Sequence, residues 1–140
     1  MSALKNISAK RLLLLAIILA FSSGTARAMC EGGEPIAKEQ IEDMFSNIAV
    51  NTDWNMSNDM LWGYFFTDRN KSDLANAADM LERVGYELVS IRRVNDWQLH
   101  MERKETHTAE SLFRRNKELY EFAAANNLDC YDGMDVGPID

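Results

Sequence analysis

The sequence predicts an α+β domain with a ferredoxin-like architecture, and three observations support this fold class. Short runs of alternating apolar residues indicate strands, and longer stretches with apolar residues every three or four positions indicate helices. Capping and turn residues separate these segments. In chain order they give one helix followed by β-α-β-β-α-β. Split βαβ units of this order form an antiparallel sheet with two helices on one face, to which the leading helix is an addition.

The first half of the domain contains two predicted helices and one strand. A helix runs from Pro35 to about Val50, since proline is favoured in the first turn. A short aromatic strand follows from Leu61 to Phe66. Asn70 then caps the second helix, with Asp73 three residues on as in a capping box, and Gly85 ends it. The buried stripe of this second helix is predicted to consist of Leu74, Ala77, Ala78, Leu81 and Val84.

The second half contains a hairpin, a long helix and a final strand. The hairpin strands are Tyr86 to Arg93 and Trp97 to Glu105, joined at Asn95-Asp96. By alternation Val89 and Ile91 share one face of the first strand. Thr108 caps a helix that ends near Asn126, and Asn127 suits a left-handed cap. Cys130 to Val136 is the last strand, in which Gly133 indicates a bulge or a close backbone approach.

Residues 1–28 have the features of a cleavable secretory signal peptide. Three basic residues precede an apolar run of ten residues, Leu12 to Phe21, and Ala26-Arg27-Ala28 is an A-x-A cleavage site. Ten apolar residues are too few to span a bilayer, which takes about 20. We therefore expect a periplasmic or secreted protein with an N-terminal helix and linker at 29–60 and a folded domain at 61–140.

Removal of the signal peptide leaves a strongly acidic chain. Residues 29–140 retain 22 acidic and 11 basic residues, a net charge of −11. Such a chain repels nucleic-acid backbones, whose binding depends on neutralising phosphates. A protein partner with a basic surface is the expected alternative, although the charge could also serve solubility alone. No nucleic acid, small molecule or membrane is expected as a partner of the mature chain.

Cys30 and Cys130 are the two cysteines of the chain. In an oxidising compartment an even pair indicates a disulfide, and we expect these two to pair. Free thiols and an intermolecular bridge are the alternatives. The spacing is not that of a C-x-x-C redox motif.

The polar residues of the last third do not predict a catalytic or metal site. His100 and Glu102 share a strand face, and His107 lies beyond them. A metal site needs three or four converging ligands, so a solvated strand face is the simpler interpretation. The spacing of Asp129, Asp132 and Asp135 does not fit a calcium loop. By alternation Asp132 and the other two point to different faces. We expect no cofactor and no enzyme activity.

The aromatic residues suggest either core or a partner surface. Trp62, Tyr64 and Phe66 alternate on one strand face, which is typical of a core covered by helices. An apolar patch on an uncovered face would instead mark a binding site. The candidate partner-binding residues are Trp62, Tyr64, Tyr131, Asp132 and Asp135.

Three segments resemble the ribonuclease E inhibitor B (RraB) family: LWGYFFTD (61–68), ERKETHT (102–108) and YDGMDVGPI (131–139). The resemblance covers about residues 61–139, with a weaker likeness at 35–50. It implies a ferredoxin-like sandwich without catalytic activity. It also implies an acidic inhibitor that binds the scaffold region of ribonuclease E.

Three functional hypotheses follow. The first is an exported RraB-like protein that binds another protein, for example as an immunity-like inhibitor of a toxin or nuclease. The second is a cytoplasmic regulator of ribonuclease E, which requires that the signal peptide is not used. The third is a small envelope enzyme or metal-binding protein that uses His100, Glu102 and His107.

Overall fold

Four strands and three helices make up residues 35–140, the part of the chain that the computed structural model describes. In chain order they are α1 Lys38–Asn51, β1 Met60–Asp68, α2 Lys71–Glu82, β2 Glu87–Arg93, β3 Trp97–Glu105, α3 Ala109–Ala125 and β4 Cys130–Gly137. The predicted order of one helix followed by β-α-β-β-α-β is confirmed. The predicted signal peptide and Cys30 lie outside the described residues.

The four strands form one sheet in the order β2-β3-β1-β4, and every neighbouring pair is antiparallel. β1 and β3 are the central strands, and β2 and β4 are the edges. α2 packs on β1, β2 and β3, while α3 packs on β4 and against α1.

The core lies between the sheet and the helices. Trp62, Tyr64 and Phe66 of β1 are fully buried, which confirms the helix-covered interpretation of the aromatic row. They pack with Leu99 and Met101 of β3. The helices contribute the buried residues Leu74, Ala77, Ala78, Leu81, Leu112, Leu119 and Ala123.

Two of the three helices begin at the capping residue that the sequence predicted. Thr108 caps α3 by accepting the Ser111 N–H, and Asn70 caps α2 by accepting the Ser72 N–H. α1 begins at Lys38 rather than at Pro35, because the Ala37 N–H donates to Gln40 Oε1 and closes the first turn there. None of the helices in residues 35–140 has the length and apolar character that a membrane crossing needs.

Two register shifts modify the sheet. The first lies in β4, where Gly133 has φ +96° and the pairing with β1 shifts between Phe65 and Phe66. It confirms the bulge predicted at Gly133. The second lies in β2 between Leu88 and Ser90. Val89 is the additional residue there and has no residue of β3 opposite it, so the shared face of Val89 and Ile91 stays a prediction.

The α2 stripe also ends earlier than predicted. Val84 lies beyond the helix and is 60% exposed. The predicted left-handed conformation of Asn127 is confirmed, with φ 53°, and Gly85 has φ +97° at the end of α2. These two residues let the chain reverse after each helix and enter the next strand.

A buried hydrogen bond joins α3 to β4. Tyr131 is 1% exposed and its hydroxyl donates to Asn116 Oδ1 over 2.6 Å. Asn116 is fully buried, and within residues 35–140 its Nδ2 atom has no hydrogen-bond partner. The pair therefore forms one buried polar contact inside an apolar region.

We predict that Tyr131→Phe destabilises the fold by about 1–3 kcal/mol, because it leaves the Asn116 carbonyl buried without a donor. Asn116→Leu should destabilise the fold by a similar amount, because it leaves the Tyr131 hydroxyl buried without an acceptor. The double variant should be close to wild type, since removing both partners leaves no unsatisfied group. Urea unfolding of the four proteins measures this. If the double variant loses as much stability as the two single variants together, the Tyr131–Asn116 hydrogen bond does not have the role predicted for it.

Candidate functional site

A polar cluster lies on the sheet face opposite α2 and α3, here called the far face. It contains His100 and Glu102 of β3 and Asp135 of β4, on either side of Gly63 in β1. The register places them together, because Gly63 is paired with Glu102 on one side and with Asp135 on the other. Side chains of these residues alternate with the buried core residues of the same strands.

Gly63 makes this cluster sterically possible. A Cβ atom at Gly63 would collide with Asp135 Oδ1 and would lie 2.9 Å from His100 Nε2. His100 Nε2 is also 3.5 Å from Glu102 Oε1. The imidazole stacks on Phe65 with ring centroids 4.4 Å apart and an interplanar angle of 20°. The cluster is well sheltered, since Asp135 is 3% exposed and the His100 side chain 19%.

The bulge in β4 brings Asp132 onto the same face as Asp135. The prediction that these two residues lie on opposite faces is therefore wrong. The pairing with β1 shifts by one residue at the bulge, so that Asp132 and Asp135, although three positions apart, lie on the same side of β4. Asp132 lies near Gln98 of β3. Burial raises the pKa of the Asp132 carboxyl above its usual value, and a hydrogen bond with Gln98 opposes this effect.

A second polar cluster lies on the helix side, around the carboxylate of Glu105 at the end of β3. Tyr64 Oη donates to Glu105 Oε1 over 2.6 Å, and Arg115 Nη1 of α3 lies 2.9 and 3.0 Å from its two oxygens. Arg115 Nη1 also donates to the hydroxyl of Tyr86. His107 Nε2 is 3.0 Å from Glu105 Oε1. β1, β3 and α3 thus meet at one carboxylate.

The surroundings of Glu105 favour its charged form. Burial alone would raise the pKa of this carboxyl. Hydrogen bonds from His107 and Tyr64, together with the positive charge of Arg115, outweigh burial and lower the pKa from 4.5 to about 2. Burial and the neighbouring Glu105 charge raise the pKa of the Tyr64 hydroxyl, which therefore acts as a hydrogen-bond donor.

Ser111, His107 and Glu105 are within hydrogen-bond distance in the order of a hydrolase triad. Ser111 Oγ is 2.9 Å from His107 Nδ1, and His107 Nε2 is 3.0 Å from Glu105. The Ser111 hydroxyl, however, also accepts the Thr108 N–H at the start of α3. His107 is 6% exposed, under the edge of Trp62. A nucleophile must be free to reach a substrate, so this chain of hydrogen bonds serves the helix cap.

The metal-binding alternative based on His100, Glu102 and His107 is not supported by the geometry. His100 lies on the far face against Phe65, whereas His107 contacts Tyr64 on the helix side. The sheet separates the two imidazoles. Within residues 35–140, no three His, Cys, Asp or Glu side chains are placed to hold one metal ion.

The candidate partner-binding residues occupy two environments. Trp62, Tyr64 and Tyr131 are at most 1% exposed and belong to the core, so in this conformation they present no surface to a partner. Asp132 is half-buried and Asp135 is buried, both on the far face. Charge reversal at Asp135 would thus alter the fold as well as the surface.

Cys130 lies at the start of β4, where it is 4% exposed. The hydroxyl oxygen of Thr67 is 2.7 Å from its sulfur. Cys30 lies outside the described residues, so the pairing of Cys30 with Cys130 stays a prediction.

Sequence reasoning missed Gly63, Glu105 and Arg115. A glycine inside an aromatic strand is a signal of close approach by another group, which could have indicated Gly63. The convergence of Glu105 and Arg115 depends on the packing of α3 against the end of β3, and no local pattern shows it.

The two polar clusters belong to a small α+β domain of four strands and three helices. The chain belongs to the RraB family: the sequence model for regulator of ribonuclease activity B matches residues 38–136. The match includes α1. The family description concerns regulation of ribonuclease activity and names no reaction. No curated protein matches the chain.

We predict that Glu105→Gln destabilises the protein by about 2 kcal/mol at pH 7, because it removes the charge that faces Arg115. Since the folded pKa is depressed, the stabilisation is complete above about 4.5 and is lost as pH falls towards 2. The difference between variant and wild type should therefore shrink over that interval.

Urea unfolding at several pH values tests this. Glu121→Gln, at an exposed position of α3, is the matched control and should have little effect. A constant difference from pH 7 to pH 2 would contradict the role assigned to the Glu105 charge.

Proposed function

We propose that this protein is a non-catalytic regulator that binds a protein and thereby inhibits a ribonuclease. The observation that carries the proposal is the family match over residues 38–136, whose description is regulation of ribonuclease activity. The geometry supports a non-catalytic role, because the Tyr64 hydroxyl, the His107 imidazole and the Glu105 carboxylate are within hydrogen-bond distance of one another.

We further propose that the domain is a ferredoxin-like sandwich. The sheet order β2-β3-β1-β4 supports this, because each long connection returns across the helix side through α2 or α3. In such sandwiches one sheet face carries the helices. The outer surfaces of the helices are then available to partners, whereas the far-face cluster of His100, Glu102 and Asp135 is sheltered.

The partner surface that we propose is the outer side of α1. Glu39, Glu42 and Asp43 are exposed there. Lys38 is the sole basic residue of α1, and its Nζ atom is held 2.6 Å from Glu110 of α3. The exposed side of the helix therefore has a negative charge, which favours a basic surface on the partner and accelerates association.

We predict that Glu39→Lys combined with Glu42→Lys slows partner association and reduces its salt dependence, because both changes reverse the charge of the outer side of α1. Asp79→Lys combined with Glu82→Lys, at exposed positions of α2 with the same spacing, is the matched control. Association rates at low and high salt, with RNA cleavage by the captured ribonuclease, are the measurements. Equal effects of both pairs would show that only net charge matters.

The partner is sought by pull-down from envelope and cytoplasmic fractions. We propose an exported protein with an immunity-like role, in which it neutralises a toxin or nuclease outside the cytoplasm. The motivation is the signal-like sequence of residues 1–28. Capture of ribonuclease E from the cytoplasm, with inhibition of its RNA cleavage, would favour the alternative role as a cytoplasmic regulator.

We predict that the protein isolated from its host begins at Met29 and contains a Cys30–Cys130 disulfide. Intact-mass measurement without reductant should give the mass of residues 29–140 less two hydrogen atoms. Reduction should restore those two atoms. A chain that retains Met1 would remove the basis for export, and two free thiols would remove the disulfide.

A further inference from the structure

The outer edge of β2 is an apolar surface with Glu87 at one end and Arg92 and Arg93 at the other. β2 is an edge strand, and within residues 35–140 it pairs with β3 alone. Leu88 is 43% exposed and Val89 48%. Val84 and Val94, just before and just after the strand, are 60% and 58% exposed. An edge of this kind offers unpaired backbone groups and apolar side chains to another strand.

The pairing of β2 with β3 shows which of its side chains share a face. Glu87 is opposite Glu102, Ser90 is opposite His100, and Arg92 is opposite Gln98. These three β3 residues alternate with Leu99 and Met101 of the core. Glu87, Ser90 and Arg92 are therefore on the far face, whereas Leu88 and Ile91 are on the helix side.

The bulge makes this arrangement symmetric about Ser90. Because Val89 is the additional residue, Leu88 and Ser90 occupy successive positions opposite β3. Glu87 is then two positions before Ser90, and Arg92 is two positions after it. Glu87 and Arg92 are thus the same number of β3 positions away from Ser90, on the same face of the strand.

We propose that a second copy of this chain pairs with β2, antiparallel, about a two-fold axis at Ser90. In this register Glu87 faces Arg92 of the other copy and Arg92 faces its Glu87, so two ion pairs form on the far face. On the helix side Leu88 faces Ile91 of the other copy, with Val89 beside them. Opposite charges and apolar pairs directly across two strands stabilise the pairing. The resulting interface is isologous, as in most soluble dimers.

The register explains why a second copy fits this edge. Reversal of the strand places each charge opposite the opposite charge, which a strand of unrelated sequence would not do. The bulge, which commonly protects an edge from pairing, here restores the spacing that lets the two far-face charges meet. This surface is distinct from the outer side of α1, so the proposal is independent of the partner proposed above.

Charge exchange tests the proposal in the full chain. Sedimentation velocity at low salt, over a concentration series, should show a reversible dimer. Glu87→Arg or Arg92→Glu alone should raise the dimer Kd about tenfold or more, since each replaces two attractive pairs with two repulsive ones. An equimolar mixture of the two variants should associate again as a heterodimer, and the double variant should self-associate.

Val89→Lys and its control Val50→Lys complete the test. Val50 is 82% exposed on α1, so the same substitution there should leave the dimer unchanged, whereas Val89→Lys should weaken it. Circular dichroism confirms that each variant is folded. A monomer at all concentrations, a dimer indifferent to Glu87→Arg, or a dimer that disappears only on reduction of an intermolecular disulfide would overturn the proposal.

Discussion

The carboxylate of Glu105 is the contact on which the arrangement of strands and helix depends. It accepts hydrogen bonds from Tyr64 of β1 and Arg115 of α3, and it lies 3.0 Å from His107 at the start of that helix. The backbone carbonyl of the same residue accepts the indole N–H of Trp62. Each of these groups would be costly to bury alone, and together they satisfy one another. The cluster therefore fixes the position of α3 over the sheet, which in turn places Leu112, Leu119 and Ala123 in the core.

The far face depends on a different constraint, the close approach of backbone and side chains at Gly63. Because Gly63 has no side chain, the space above it is available to His100 and Asp135. The bulge at Gly133 adds Asp132 to the same side. Polar groups are thus concentrated around Gly63 on the far face. An alanine at position 63 would displace Asp135 and His100 without touching the Glu105 cluster, so the two polar clusters are structurally independent.

The sequence patterns predicted the order of the elements and most of the core, because both depend on local periodicity. Trp62, Tyr64 and Phe66 alternate, and Thr108 has the position of a helix cap. What escaped prediction depends on contacts between distant segments or on single-residue shifts. The bulges add Asp132 to β4 and Val89 to β2, and one additional residue is enough to change the face on which the following side chains lie.

The charges of this acidic protein are unevenly distributed, which has consequences for how it binds. The outer side of α1 has Glu39, Glu42 and Asp43. β2 has Glu87 and Arg92, each two positions from Ser90 in the pairing with β3. A net negative surface attracts basic partners over long distances, while the opposite charges of Glu87 and Arg92 on one face of β2 select a partner by register. α1 packs beside α3, and β2 is the sheet edge remote from β4, to which α3 is bound. A dimer formed through β2 would therefore leave both copies of α1 accessible. Two accessible sites on one dimer would raise the apparent affinity for a partner that has two basic segments.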